Sequence, residues 1–351
     1  MVGDLFMSIY YDGTKLLSMT DIDGNKPEIY MVTTNRTGGK TTWFNRFVVS
    51  KFLKTGSKFM LIYRYNYELG DVDKKFYKDI GVLFFPDHTF ESVRRARGMY
   101  YELFLDGKSC GYAVSLNSAD KVKTYSHLFS DVDRMIFDEF QSETDSYCDE
   151  EIRKFRSIHN SVARGRGQMN RYVPVYMISN PVSLLNPYYC VFHIAERIQY
   201  NTKFLRGTGW VLEQGFVQAA ADAYKESGFN KAFGDDQYAA YAGQAVYLFD
   251  NKSFIEKVTG QHKYLATIKY NGEYFSIKEY AEQGIIYCDS TYDATFPRKI
   301  AVTTDDHQIN HIMMHSNDTF FMYLRYHFDR GHFRFKNSKC KQVIMTCLSY
   351  Q

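Results

Sequence analysis

The chain has 351 residues, with 43 lysines and arginines against 40 aspartates and glutamates, a net charge of +3, and 45% hydrophobic and 24% charged residues. That balance excludes a disordered or low-complexity chain and a polybasic binder, so any contact with nucleic acid has to come from local patches. The six cysteines (Cys110, Cys148, Cys190, Cys288, Cys340 and Cys347) are scattered without a C-x-x-C pair, which argues against a zinc ribbon or a disulfide framework and for a reducing compartment.

The N-terminal stretch MVGDLFMSIYYDG has Asp4 where a leader would be apolar and no basic residue before it, so no secretory signal is expected. No later run approaches the roughly 18 apolar residues of a membrane span. Short apolar runs at 29–34 (IYMVTT), 59–64 (FMLIYR), 112–116 (YAVSL), 134–140 (RMIFDEF) and 173–179 (VPVYMIS) predict buried parallel strands, being too short for helices and mostly β-branched or aromatic. A helix is predicted over Thr42–Lys54, where Phe44, Phe47, Val48 and Phe52 recur at helical spacing and Gly56 follows as a stop. This alternation predicts an α/β fold with a parallel sheet.

After Asn180 the segment SNPVSLLNPYY breaks the alternation, and a boundary is expected near residue 200. The Ala-rich segments 215–226 and 235–246 read as two short helices in a connector. LATIKYNGEYFSIKEY then predicts a hairpin turning at Asn271–Gly272, with GIIYCDS as a third strand. The expected division is 1–200 as the first domain, 201–250 as a helical linker or lid, and 251–351 as a smaller α+β domain.

Thr34–Thr41 (TNRTGGKT) lies between the first strand and the first long helix, the context a phosphate-binding loop requires. Asn35, Arg36, Thr37, Gly38 and Gly39 would turn backbone N–H groups toward phosphates, Lys40 would reach the β- and γ-phosphates, and the Thr41 hydroxyl, with Thr42 beside it, would meet Mg²⁺. ATP and Mg²⁺ are therefore the expected cofactors. Thr34 stands where the motif has its first glycine, and a plain strand-to-helix turn is the alternative.

Met135–Glu139 is an apolar run ending in two acids, as expected of a buried strand delivering carboxylates to the ligand-binding edge of a parallel sheet. Asp138 would hold the metal shell and Glu139 would act as general base on an attacking water, which points to hydrolysis. Asn180, at the end of the next strand, can sense the γ-phosphate or simply occupy a turn before Pro181. In Ala163–Gln168 (ARGRGQ), Arg164 and Arg166 alternate with glycines. Such a loop can insert an arginine into a neighbour's site, contact a phosphate backbone, or be a solvated turn.

The set NRTGGKTT, FMLIYRYNYELG, MIFDEF, MISNPVSLLNPYY and TIKYNG…IIYCDS…TTDD resembles, in order and over nearly the whole chain, the DNA-packaging (encapsidation) ATPases of small podoviruses with protein-primed genomes. Arg36 within the phosphate loop is also similar to the loop of phage terminase large subunits. The resemblance implies a P-loop ATPase of the additional-strand, conserved-glutamate type, followed by a vestigial ribonuclease-H-like domain. It further implies a homo-oligomeric, pentameric ring at the portal (connector) vertex of an empty procapsid, driving double-stranded DNA inward. The protein would then reside in the host cytoplasm and transiently on the procapsid, without a membrane, and be absent from the mature virion.

Carried over by residue, the resemblance places Lys40 and Thr41 on the phosphate-loop pair, Asp138 and Glu139 on the metal and base carboxylates, and Arg164 or Arg166 on an arginine acting across the subunit boundary. Asn66 stands where a relative has a trans-acting lysine, with Arg64 close enough to substitute. Lys121 and Lys123, in the segment after YAVSL, become candidate phosphate contacts in a ring's channel, with a solvated loop as the alternative.

A two-metal nuclease needs carboxylates that clamp ions roughly 4 Å apart. LATIKYNG presents Lys269 and Tyr270 but no acid, leaving Asp289, Asp305 and Asp306, so the second domain is expected to lack nuclease activity and to dock the portal, a structural RNA or the DNA. Arg325, Arg330, Arg334, Lys336, Lys339 and Lys341, interleaved with Tyr326, Phe333 and Phe335, make its C-terminal part basic. His307, His311 and His315 would share a helix face but span about 12 Å, too far for one zinc ion, and read as surface or packed residues after an N-cap at Thr304/Asp305. The competing functions are a terminase with a working nuclease and a nucleotide-dependent assembly protein that is not a motor.

Overall fold

The computed structural model describes residues 10–144, 146–165, 167–184, 186–194, 197–198, 202–233 and 254–349. The chain divides into two units, Met1–Phe249 and Asp250–Gln351.

In the first unit β1 (Ile29–Thr33), β2 (Lys58–Tyr63), β3 (Phe90–Arg95), β4 (Tyr100–Leu105), β5 (Lys108–Ser115), β6 (Val132–Asp138), β7 (Val175–Ser179), β8 (Phe204–Gly207) and β9 (Trp210–Gln214) form one sheet. Their order is β3-β4-β5-β2-β6-β7-β1-β9-β8. The run from β5 to β9 is parallel throughout. The antiparallel strands β3, β4 and β8 extend it at either edge. Parallel strands are covered on both faces, so their sequences carry no polar alternation. Met60, Leu61 and Ile62 of β2 and Met135, Ile136 and Phe137 of β6 are all buried.

On one face Met31, Ile62, Phe137 and Met177 meet Phe155, Ile158 and Val162 of the helix Glu151–Val162. On the other, Tyr30, Val32, Leu61 and Ile136 meet Trp43, Phe44, Val48 and Val49 of the helix Lys40–Thr55. That helix begins two residues before the predicted Thr42. Gly39 enters it at φ +83°, and Gly56 ends it at φ +69° with its N–H on the Phe52 carbonyl.

The described part of 201–250, residues 202–233, departs at its start from the expected helical connector. Phe204–Gln214 forms the β8–β9 hairpin, and β9 pairs with β1 from Ile29↔Trp210 to Thr33↔Gln214 because Trp210, Val211 and Leu212 bury their side chains there. A helix, Gln218–Glu226, falls within the predicted 215–226. The predicted helix 235–246 lies outside the described residues.

The second unit holds β10 (Lys263–Tyr270), β11 (Glu273–Tyr280), β12 (Ile285–Asp289), β13 (Lys299–Ala301), β14 (Ile312–Met313) and β15 (Phe333–Phe335), in the order β14-β13-β10-β11-β12-β15. The helices Thr319–Asp329 and Ser338–Ser349 cover one face, setting Phe321, Leu324, Val343 and Ile344 on Ile268, Ile277 and Cys288. The hairpin turns at Asn271–Gly272, both at positive φ, as a two-residue turn of this kind requires. No helix forms over 307–315. His311 is instead buried against the Tyr274 ring, and Thr304–Asp306 is a single 3-10 turn rather than the cap of a longer helix.

Candidate active site

All strands from β5 to β9 point their C-terminal ends to the same edge, so the residues that follow β1, β6 and β7 become neighbours there. β1 runs into Thr34–Gly39 and the helix start at Lys40, β6 ends on Asp138, and Asn180 follows β7 between them. Lys40 is only 7% exposed and donates from Nζ to Asn180 Oδ1 at 2.6 Å. Thr41 Oγ1 donates to Asp138 Oδ1 at 3.3 Å. Asn180 Nδ2 reaches Glu143 Oε1 at 3.2 Å, and the Arg36 guanidinium pairs with the same carboxylate at 3.1 Å. Lys40, Asn180, Glu143 and Arg36 thus form one polar chain beside the Thr41–Asp138 pair.

Burial lowers the Lys40 pKa to about 8, against the opposing pull of the Asp138 and Glu139 carboxylates. Burial together with the neighbouring Glu139 charge pushes Asp138 up to about 6, although Lys40, the Glu139 N–H and Thr41 favour its ionised form. A carboxylate under this tension, next to a hydroxyl oxygen, suits a hard divalent cation with oxygen ligands. Thr41 and Asp138 therefore fit Mg²⁺.

Glu139 is exposed and sits at φ +54°, a left-handed conformation costly for a residue with a Cβ. Its N–H donates to Asp138 Oδ1 at 3.0 Å, and its carbonyl accepts from Arg64 Nη1 at 3.0 Å. Arg64, only 5% exposed, also donates to the Phe140 carbonyl at 2.9 Å and pairs with Glu151 at 2.9 Å. Glu151 in turn accepts from Tyr188 Oη at 3.0 Å and the Cys148 N–H at 2.8 Å. Arg64 is therefore committed within its own subunit and cannot stand in for a trans-acting lysine. Asn66, at the position of that lysine, accepts hydrogen bonds from the Ser115 and Ser118 hydroxyls.

Not every candidate in the loop faces the site. The side chain of Asn35 is fully buried and turned away, donating to the Val217 carbonyl at 3.0 Å and accepting from the Val217 N–H at 2.9 Å. It anchors the loop to the segment after β9, so only its backbone could serve a phosphate. Thr37, at φ +57°, is exposed, with its hydroxyl on the Arg36 carbonyl. Gly38 is closely packed: a Cβ there would lie 3.0 Å from both Thr34 Oγ1 and Val217 Cγ2, so those side chains would have to give way. Thr42 lies in the first turn of the helix, partly buried.

Arg164 is not brought to this edge. A Cβ on its neighbour Gly165 would lie 2.8 Å from the Ser130 Cβ, and Arg171 ties the Ala163 carbonyl and the start of β6 together. Arg164 and Gly165 therefore sit at the opposite end of β6 from Asp138, about 20 Å away at about 3.3 Å per residue. Arg166 lies outside the described residues. Lys121 and Lys123 are exposed just past the C-terminal end of β5, Lys123 loosely paired with Asp120 at 3.4 Å.

In the second unit two of the three remaining acids, Asp289 and Asp306, are spent on structure. Burial alone would raise the Asp289 pKa. The bonds it accepts from Lys278 Nζ at 2.8 Å, Thr291 and Lys336 Nζ at 2.9 Å outweigh that and hold it well below the usual carboxylate range. Asp306 is buried and accepts from the N–H groups of Asn271 and Gly272, at 2.7 and 2.8 Å, and from Thr303. Asp305 is exposed.

Glu143 and the Arg64–Glu151–Tyr188 group were not found by sequence reasoning. Glu143 follows the Asp138–Glu139 pair closely in QSETD, but nothing in that run marks it. Tyr188 belongs to the NPYY block, where Asn186 caps the short helix Pro187–Val191 by accepting from the Tyr189 N–H at 3.0 Å.

Comparison with known proteins adds three findings. The family model for podovirus DNA encapsidation protein (Gp16) matches residues 5–350. The DNA packaging protein of Bacillus phage phi29 is 26% identical over 340 residues, 96% of either chain, and that of Bacillus phage B103 is 26% identical over 270 residues, 76% of this chain and 79% of the relative. A chain of the bacteriophage Phi-29 viral genome packaging motor assembly shares the fold with a TM-score of 0.66 at 23% identity over 97% of this chain and 99% of that one. A chain of the Phi-28 gp11 DNA packaging motor does so at 0.59 and 16% identity, over 97% and 98%.

Proposed function

The chain belongs to the podovirus DNA encapsidation protein family, and on that premise we propose that it is the ATPase of a DNA-packaging motor, hydrolysing ATP with Mg²⁺ to translocate double-stranded DNA. The observation that carries this reading is the convergence of Lys40, Thr41, Asp138 and Asn180 on one sheet edge, with Glu139 adjoining Asp138. Lys40 would neutralise the β- and γ-phosphates, exchanging its bond to Asn180 Oδ1 for phosphate oxygens. Asn180 would thereby register whether a γ-phosphate is present. Glu139 would orient the attacking water and take its proton, and Arg36, held by Glu143, would add positive charge beside the loop. Thr41 and Asp138 would hold Mg²⁺, which offsets charge developing on the transferred phosphoryl group.

Its working form would be a homo-oligomeric ring, pentameric as the resemblance implies, at the portal of an empty procapsid. The protein would act in the host cytoplasm and leave before the virion matures. The position of Arg164 supports a shared active site. An arginine about 20 Å from its own subunit's carboxylates does not reach them, so a catalytic role for Arg164 or Arg166 would be played at a neighbour's site.

The strand order of the second unit supports a ribonuclease-H-like ancestry, and the fixed roles of Asp289 and Asp306 support the loss of nuclease activity. This unit would then dock the portal, a structural RNA or the DNA. The test is ATP turnover by the purified chain with and without double-stranded DNA and procapsids. Stimulation by both is the expected result. Turnover indifferent to both would favour an assembly protein, and metal-dependent cleavage of DNA would favour a terminase.

A further inference from the structure

The hairpin joining β3 to β4 carries a feature that the active site does not use. Its tip reads Arg94-Arg95-Ala96-Arg97-Gly98, and all three arginines are exposed. Ala96 (φ +47°), Arg97 (φ +58°) and Gly98 (φ +91°) are successive left-handed residues. Ala96 and Arg97 each carry a conformational cost that asparagine or glycine would largely avoid. Arg94 Nη2 closes the turn on the Arg97 carbonyl at 3.0 Å. Arg95 is neutralised by Glu102 at 2.8 Å, whereas Arg94 and Arg97 make no ion pair with any described residue. The result is a turn closed by Arg94 that holds two exposed guanidinium groups with no carboxylate partner among the described residues.

Its placement follows from the sheet register. Arg95 pairs with Tyr100, Tyr100 with Val114, Val114 with Ile62 and Ile62 with Phe137, the residue before Asp138. The tip therefore projects from the same edge as the nucleotide site, four strands from β6, or about 20 Å at about 4.8 Å per strand. Charged residues on an edge strand such as β3 can also serve to prevent edge-to-edge association. That role would spread charge along the strand, but the strand body preceding Arg94, Phe90–Val93, holds only Glu91, and the arginines crowd at the tip.

We propose that the Arg94–Gly98 tip is a contact for the phosphate backbone of double-stranded DNA, with Arg94 and Arg97 as the contacting side chains. Guanidinium forks match phosphate oxygens and carry no base preference, which suits a surface that must grip any sequence. Lys121, past the end of the adjoining strand β5, lies on the same edge and extends the basic surface. The inference rests on the reading of the chain as a DNA motor, but it concerns duplex binding rather than hydrolysis.

The test is binding of the full chain to a random-sequence duplex at several salt concentrations, with a non-hydrolysable ATP analogue present. Each lost phosphate contact should lower the slope of log affinity against log salt by about 0.9. Arg97→Ala, whose side chain makes no bond to any described residue, should lose about one unit with unchanged thermal melting, Arg94→Ala/Arg97→Ala about two, and Arg94→Lys/Arg97→Lys almost none. Unchanged slopes in both alanine variants would overturn the proposal and leave the arginines as edge protection. Loss of binding to a structured RNA but not to the duplex would also overturn it, as would a wild-type chain that turns over ATP but never binds duplex. Duplex binding that depends on the tip in a chain without ATP turnover would uphold this inference and defeat the hydrolytic one.

Discussion

Arg64 holds the backbone carbonyl of Glu139 at 3.0 Å, so a buried cation just past the end of β2 fixes the left-handed turn from which the proposed general base projects. The same guanidinium is anchored by Glu151, itself bonded to Tyr188. The conformation of Glu139 is thereby tied to the core beneath β6 and to the NPYY segment.

Glu139→Gln should retain ATP binding and lose turnover by roughly 10²- to 10⁴-fold, because the amide cannot accept the water's proton. Lys40→Ala should weaken ATP binding itself. Nucleotide titration beside steady-state turnover separates the two, and wild-type-like turnover in Glu139→Gln would remove that residue from its role.

Replacement of Arg64 by alanine leaves Glu151 buried without its partner and should cost about 3 to 5 kcal/mol in urea unfolding. Arg64→Lys keeps the charge but cannot bond Glu151 and both carbonyls together. It should fold and show a lower kcat with little change in KM. A Lys variant with normal kcat would mean that the left-handed turn at Glu139 does not need this support.

Asp138 gives a pH signature without nucleotide or divalent cation. Its pKa is raised to about 6 in the folded chain, so its contribution favours folding below the ordinary carboxylate pKa and is lost as pH rises through 6. Asp138→Asn should therefore stabilise the protein more at pH 8 than at pH 5, by about 1 kcal/mol. Mg²⁺-dependent nucleotide binding by the unaltered chain should weaken as pH falls below 6. Equal stabilisation at both pH values would mean that the carboxylate is not under tension.

If Arg164 or Arg166 acts in trans, each alanine variant should bind ATP normally and lose the turnover stimulated by procapsids. Mixing such a variant with Glu139→Gln should restore part of it, since some interfaces then join an intact arginine to an intact glutamate. Mixtures that never recover activity would return the loop to solvent or to DNA.

The parallel strands, the strand-to-helix loop at Thr34–Gly39, the Asp138–Glu139 pair at a strand end and the Asn271–Gly272 turn were legible in the sequence because each is written in adjacent residues: an apolar run, a glycine before a helix, two acids at a strand end. Such local signals also bring Lys40, Thr41, Asp138 and Asn180 into view, since a parallel sheet sends every strand end to one edge. What the sequence could not show are the pairings between distant segments. Arg64 meets Glu151 across 87 positions and Asn35 meets Val217 across 182. An arginine near the site thus became an internal brace, and an asparagine in the loop after β1 became an anchor. The β8–β9 hairpin joined the sheet for a related reason: its burial depends on the exposed flank of β1, a surface that exists only once the rest of the sheet has formed.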